Sequence, residues 1–160
     1  MSLEKATAHL KKYGLENRIR LFDVSSATVA LAAAALGTEE CKIAKTMSFC
    51  TPDGPILIVA AGDVKVDNRK FKDMFHIKAK MLSGDEVDQL VGHGIGGVCP
   101  FGVNDGVRVF LDESLRRFDI VYPAAGTSAS AVELTVSELE KASEALSWVD
   151  LTVLRETVVQ

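Results

Sequence analysis

Two short runs hold the residue types best suited to chemistry: Ala44-Lys45-Thr46-Met47-Ser48-Phe49, and Gly92-His93-Gly94-Ile95-Gly96-Gly97-Val98-Cys99-Pro100-Phe101-Gly102. In the first, alternation places Lys45 on one strand face with Met47 and Phe49, and Ala44, Thr46, Ser48 and Cys50 on the other. An ammonium on an apolar face must be paired, must reach solvent along its own stem, or must line a cavity that takes an anion or a carbonyl oxygen. The second run is dense in glycine, which lets a ligand approach the main chain, and Pro100 forbids a helix through it. His93 is suited to act as a general base, as a donor to a carbonyl, or as a plain loop histidine. Cys99 is suited to be a nucleophile or a small buried thiol, and no histidine–carboxylate partner is set beside it by local spacing. Gly126-Thr127-Ser128 either offers backbone and hydroxyl donors or simply turns the chain. Asp63 and Asp119 are possible acids without a specific signal.

The string Gly92 to Gly97 imitates a dinucleotide fingerprint, but that fingerprint requires a strand before it and a helix opening on it. Here a capped helix precedes, and Cys99-Pro100-Phe101-Gly102 follows. No glycine is followed by Lys-Ser or Lys-Thr, so there is no phosphate-binding loop of that type.

The elements that must position these residues alternate irregularly between helix and strand. Helical spacing covers residues 3–13 with a stop at Gly14, and a second helix opened by Ser25 or Ser26 ends near Gly37. Strands are expected at 21–24, 44–50, 56–61, 107–111, 120–122 and 131–134, with residues 79–82 extended. Thr51-Pro52-Asp53-Gly54-Pro55 makes a hairpin turn between the second and third strands. Asp67 opens a helix through Phe71, Met74 and Phe75, and a helical turn covers 114–118. Capping boxes at Ser83–Glu86 and Thr135–Glu138 open helices that run to Gly92 and to about Leu146. The pattern predicts one α/β domain over residues 1–160 with a mixed sheet.

The 160 residues are 48% apolar and 25% charged, as in soluble globular proteins, and the formal net charge is −4. No global basic field draws in nucleic acid, so RNA contacts would come from a local patch such as Lys65, Arg69, Lys70, Lys72, Lys78 and Lys80. Cys41, Cys50 and Cys99 form no C-x-x-C pair, and His9, His76 and His93 lack metal-ligand spacing. These features point away from a disulfide framework and a zinc site. With no signal-like or membrane-length apolar segment, a cytoplasmic setting without a membrane partner is expected.

The Lys45 strand and the Gly96-Gly97-Val98-Cys99-Pro100-Phe101-Gly102 loop together resemble the YbaK/ProX family of aminoacyl-tRNA editing domains, which is similar to the editing insertion of bacterial prolyl-tRNA synthetase. Tyr122-Pro123-Ala124-Ala125-Gly126 resembles the family's C-terminal glycine element, and the likeness runs from about residue 20 to 145. The resemblance implies a curved, partly barrel-like mixed sheet surrounded by helices. It implies hydrolysis of a mischarged small amino acid, such as alanine, cysteine, serine or threonine, from the 3′-terminal adenosine of tRNA. The expected partners are the tRNA acceptor end and a synthetase, with no DNA, cofactor or metal. Lys45, Gly96 and Gly97 would carry catalysis, the loop amides facing the carbonyl or its oxyanion. Met47, His93, Val98, Cys99, Pro100, Phe101, Gly102, Gly126, Thr127 and Ser128 would bind substrate. The alternative is a non-catalytic module that recognises aminoacyl-tRNA ends or a synthetase; an oxidoreductase built on the glycine string is a further reading that requires a bound nucleotide.

Overall fold

The computed structural model describes residues 2–155. Its centre is a curved six-stranded mixed sheet in the order β8-β6-β2-β3-β5-β9, built from β2 (Ile43–Phe49), β3 (Ile56–Ala61), β5 (Arg108–Asp112), β6 (Ile120–Pro123), β8 (Leu134–Thr135) and β9 (Ser147–Val149). The β2–β3 hairpin is antiparallel, whereas β2–β6, β3–β5 and β5–β9 are parallel. The turn predicted at 51–55 closes that hairpin, with the Thr51 and Gly54 amides each donating to the other's carbonyl at 3.2 and 3.0 Å.

β3 reads Ile-Leu-Ile-Val-Ala-Ala and every residue in it is fully buried, because the sheet is covered on both faces. Period-two alternation sends Leu57, Val59 and Ala61 into the main core with Ala44, Leu111 and Leu134. Ile56 and Ile58 enter a second core with Phe49 and Phe110. Helix α3 (Asn68–Phe75), capped by Asp67 as the sequence predicts, covers that second face. Its Phe71 and Phe75 join a chain of rings from Phe49 to Phe110 with centroid spacings of 4.9, 4.8 and 5.5 Å. The expected α/β class and curved mixed sheet are what form.

Several boundaries differ from expectation, each for a local reason. The first strand, β1, is Ile19–Leu21 rather than 21–24, because it pairs with β7 (Ser130–Val132) from Ile19↔Val132 to Leu21↔Ser130. Helix α2 (Val29–Leu36) is capped by Thr28, whose hydroxyl accepts from the Leu31 amide at 3.2 Å; Ser25 and Ser26 do not cap it. The strand expected at 131–134 divides between β7 and β8, which belong to different sheets. Both capping boxes form, opening α4 (Gly84–Val91) and α5 (Val136–Ala142), but α5 stops before Leu146, and Glu144 just beyond it takes a left-handed φ of 56°. Residues 79–82 contribute a single bridge, Met81 to Phe49.

Three short strands carry too little periodicity to be foreseen: β4 (Val64–Val66), β9, and β10 (Thr152–Leu154), which pairs with β4. A buried carboxylate holds this last segment. Asp112 accepts from the Leu151 amide at 2.9 Å, the Thr152 hydroxyl at 2.7 Å and the Ser114 amide at 3.0 Å. Removing an acceptor from three such donors leaves them unsatisfied. Asp112→Ala is expected to cost about 2–4 kcal/mol in urea unfolding and to speed hydrogen exchange first in β4 and β10. Unchanged exchange in those two strands would show that they are held some other way.

Candidate functional site

The cavity of interest, about 330 Å³ in volume, lies over the face of β2 that carries Ala44, Thr46 and Ser48. Its walls are the segment Ser26–Val29 leading into α2, Leu82, Gly84 and Val87 at the start of α4, Gly96 and Val98 of the glycine loop, and Tyr122, Ala124, Ser130 and Ala131. Most of these side chains are apolar, and no Asp or Glu is among them. Exposed Met81 and Ile95 stand at its rim.

Backbone contact assembles the walls. A Cβ added at Gly97 would lie 2.5 Å from the Thr127 amide nitrogen and 2.6 Å from the Gly126 carbonyl carbon, so only glycine permits this approach. A Cβ at Gly96 would meet Ala27 at 3.0 Å and Ser128 at 3.2 Å. The loop thus seats on the Gly126–Ser128 turn and on the approach to α2 together. Ser130 shapes that turn from beneath: its hydroxyl donates to the Thr127 carbonyl at 3.1 Å and accepts from the Ala125 amide at 3.1 Å. Ser26 ties in the third segment, its amide donating to Ser128 O at 2.6 Å and its hydroxyl accepting from the Ser130 amide at 3.0 Å. Ser26 and Ser130 were not foreseen. A run such as Ser25-Ser26 reads as a helix cap, and only tertiary pairing of β1 with β7 reveals the second use.

His93, Cys99 and Phe101 lie under the loop in the core, outside the cavity lining. His93 is fully buried and its Nε2 donates to the Phe101 carbonyl at 2.6 Å, which pins the two ends of the loop together. Its Nδ1 is buried without a hydrogen-bond partner among the described residues. Burial lowers its pKa, only partly opposed by the Phe101 carbonyl, so the ring is neutral near pH 7. Cys99 Sγ lies 3.6 Å from the same Nε2, and burial pushes the thiol up to about 12. A thiol held protonated in this way is no nucleophile. Pro100 is buried beside it, and Gly102 packs where a Cβ would lie 2.4 Å from Lys5 O.

Lys45 contributes to the cavity lining, but its ammonium donates to the main-chain carbonyl of Val64. Burial lowers its pKa, the Arg155 charge acts in the same direction, and Asp63 opposes them. Asp63 is itself paired with Arg117 at 2.6 Å, which holds its carboxyl below the usual range. Met47 packs into the second core, on the opposite face of β2 from the cavity. Thr127 and Ser128 buttress Gly96 and Gly97 without lining the cavity. Of the basic stretch, Lys70 binds Asp150 at 2.9 Å and Thr152 O at 2.8 Å, while Lys78 and Lys80 are exposed on the approach to Met81 at the rim.

Two features bear on chemistry at the loop. The Gly97 amide is engaged by Gly94 O at 3.1 Å, whereas the amides of Gly96 and Val98 have no acceptor among the described residues. The hydroxyl of Thr46 is buried and likewise has no partner there. No cluster of three or more metal-ligating side chains occurs among the described residues, and no helix among them is long and apolar enough to cross a membrane.

A mixed curved sheet with a glycine loop closed over one strand is the architecture of an editing domain, and residues 24–142 match the aminoacyl-tRNA editing domain family, to which this chain belongs. It is 47% identical to the uncharacterized protein YwhH of Bacillus subtilis, over 94% of this chain and 97% of that protein. It is 28% identical to the proline–tRNA ligase of Streptococcus sanguinis over 84% of this chain, which spans only 22% of the ligase. Among solved structures, a candidate trans-editing enzyme for prolyl tRNA synthetase superposes with a TM-score of 0.85 at 28% identity, covering 95% of this chain and 97% of that one.

Two outcomes follow from the site's construction. Gly97→Ala is expected to unseat the loop from the Gly126–Ser128 turn, with a loss of about 2 kcal/mol or more in urea unfolding, whereas Gly94→Ala, which has open space at its Cβ, should cost less than about 1 kcal/mol. A neutral buried histidine with a lowered pKa binds fewer protons folded than unfolded. Stability therefore falls as pH drops from 7.5 through about 6.5, with a slope of at most about 1.4 kcal/mol per pH unit. His93→Gln should flatten the slope between pH 7 and 5.5; an unchanged slope would assign it to other groups.

Proposed function

We propose that the protein hydrolyses the ester linking a mischarged small amino acid to the 3′-terminal adenosine of tRNA, acting in trans on tRNA released by a synthetase. The observation that carries this is the pair of unengaged amides, Gly96 and Val98, on a rigid loop at the mouth of a small, mostly apolar cavity. In this reading the acyl group enters the cavity and its carbonyl lies against the loop. The two amides then receive the charge that develops on the oxygen as water attacks. The third loop amide, Gly97, holds the turn instead of the substrate. Similarity to a candidate trans-editing enzyme over nearly the full length of both chains supports action on free aminoacyl-tRNA.

No protein nucleophile enters the scheme, in keeping with a Cys99 thiol pushed up to about 12 and a His93 ring turned into the core. Lys45 is assigned to substrate binding at the cavity edge, beside the phosphate or the ester, after leaving the Val64 carbonyl. The ammonium is held there by a neutral carbonyl and not by a carboxylate, so leaving it breaks no ion pair.

Deacylation of a panel of mischarged tRNA(Pro), tRNA(Ala) and tRNA(Thr) is the deciding experiment. Hydrolysis of at least one small aminoacyl ester well above the spontaneous rate is expected. Saturable binding of a non-hydrolysable aminoacyl-adenosine without turnover on any member of the panel would instead make the protein a recognition module. Lys45→Ala is expected to lower kcat/KM by about 100-fold while thermal unfolding shifts by only a few degrees. Full activity in that variant would reduce the lysine to a tie between β2 and β4.

A further inference from the structure

Lys45 reaches a neutral acceptor although a carboxylate stands one residue away. Its ammonium donates to the Val64 carbonyl, and Asp63 is the residue before Val64, in the turn from β3 to β4. A carboxylate binds an ammonium more strongly than a neutral carbonyl does, so a lysine brought to this turn would be drawn to Asp63. Lys45 and Asp63 do not pair, even though each acts on the other's charge state. The reason lies in Arg117, at the end of the short helical turn Glu113–Arg117. Its two terminal nitrogens donate to the two Asp63 oxygens at 3.0 and 2.6 Å, and its Nε donates to Ser114 O at 2.9 Å. That third bond sets the plane of the fork from within its own turn. Ser114 is tied to β3 in addition, its hydroxyl accepting from the Ala61 amide at 3.1 Å. The carboxylate is thus held by a planar, bidentate partner in preference to a flexible ammonium. The side chains of Arg117 and Asp63 are 40% and 33% exposed, and a pair this open adds little to stability, so its use lies elsewhere.

Resting on the reading of Lys45 as a substrate-binding residue, we infer that Arg117 is a positioning residue: by occupying both oxygens of Asp63 it prevents that carboxylate from capturing the Lys45 ammonium, and so keeps Lys45 free for the substrate. A captured Lys45 would present a neutralised pair at the cavity edge. Substrate would then have to pull it from an ion pair in a partly desolvated setting, where opposite charges attract more strongly than in water. Held by the Val64 carbonyl, the ammonium keeps its charge for the ligand. Arg155, whose amide donates to the Asp63 carbonyl at 2.9 Å, brings a second positive charge to bear on Lys45 and no competing acceptor. No Asp or Glu lines the cavity itself, so the guard is needed only at the turn.

The test follows the Lys45 amine directly, by its rate of acetylation with acetic anhydride at one fixed pH. Peptide mass spectrometry reads the rate, with the exposed Lys78 and Lys80 as internal references. An ammonium drawn into an ion pair loses its proton less readily, so Arg117→Ala should slow Lys45 acetylation about 10-fold while the references keep their rates. Adding Asp63→Asn to Arg117→Ala should restore the wild-type rate, because the capturing charge is gone. Arg117→Lys, which keeps the charge but loses the fork, should fall between the two. In deacylation of a mischarged tRNA, Arg117→Ala should lower kcat/KM about 10-fold, mainly through KM, and the double variant should regain most of the loss. In a Lys45→Ala background, Arg117→Ala should have no further effect. Thermal unfolding of each variant shows that the fold is kept.

Unchanged Lys45 acetylation in Arg117→Ala would overturn the inference. So would a loss of activity that Asp63→Asn does not rescue, since Arg117 would then merely brace the turn between β3 and β4. The acetylation pattern is independent of turnover. If it appears while wild-type protein deacylates no tRNA, the guard on Lys45 stands and the assignment of Lys45 to that substrate falls.

Discussion

The cavity exists because three chain segments meet backbone to backbone at a point that admits no side chain. Gly97 lies against Gly126 and Thr127 at distances that a Cβ would reduce to 2.5–2.6 Å, and Gly96 touches Ala27 and Ser128 beside it. Pull the loop outward by the width of a methyl group and its unengaged amides leave the mouth of the cavity. The serine pair beneath, Ser26 and Ser130, satisfies the polar backbone that such close approach would otherwise strand. His93 closes the loop from the inside through Phe101, so the loop is fixed at both ends and along its outer edge.

That clamp explains a division of labour along β2. One face, with Met47 and Phe49, is committed to hydrophobic packing against the rings of α3 and β5. The other, with Ala44, Thr46 and Ser48, meets the starts of α2 and α4 and the glycine loop around an open cavity, which leaves space and tolerates polarity. A strand can serve both purposes only because its side chains alternate with period two. A one-residue slip of the β2–β3 register would bury Thr46 and Ser48 among phenylalanines and empty the site.

The sequence made the hairpin, both capping boxes, the Asp67 cap and the buried β3 run legible, because each rests on signals within a few residues. The Lys45 strand and the glycine loop were likewise legible as a pair. The meaning of the β2 alternation was not. A lysine among apolar residues drew attention to the face of Met47 and Phe49, yet the opposite face, which looks merely solvent-facing, is the floor of the cavity. His93 and Cys99 were legible as reactive types, but their burial depends on how the loop folds over them, which no local spacing encodes. The strands β4, β9 and β10 are only three residues each and depend on distant partners: β9 pairs with β5, β4 with β10, and Asp112 holds the start of β10 from 40 residues away in the chain.

The burial of the two most reactive side chains constrains the chemistry more than it first suggests. With the thiol protonated and the imidazole neutral and turned inward, neither Cys99 nor His93 is placed to form an acyl-enzyme at neutral pH. An aminoacyl ester is already activated toward water, so the barrier left to lower is modest and positioning with oxyanion stabilisation can supply it. Rigidity then matters more than basicity. A loop fixed by glycine contacts, a serine network and one histidine is the device suited to that task, since fixed dipoles need no reorganisation when charge develops. On the proposed reading the same rigidity bears on selectivity, because a small cavity whose walls cannot relax limits the size of the acyl group that enters it.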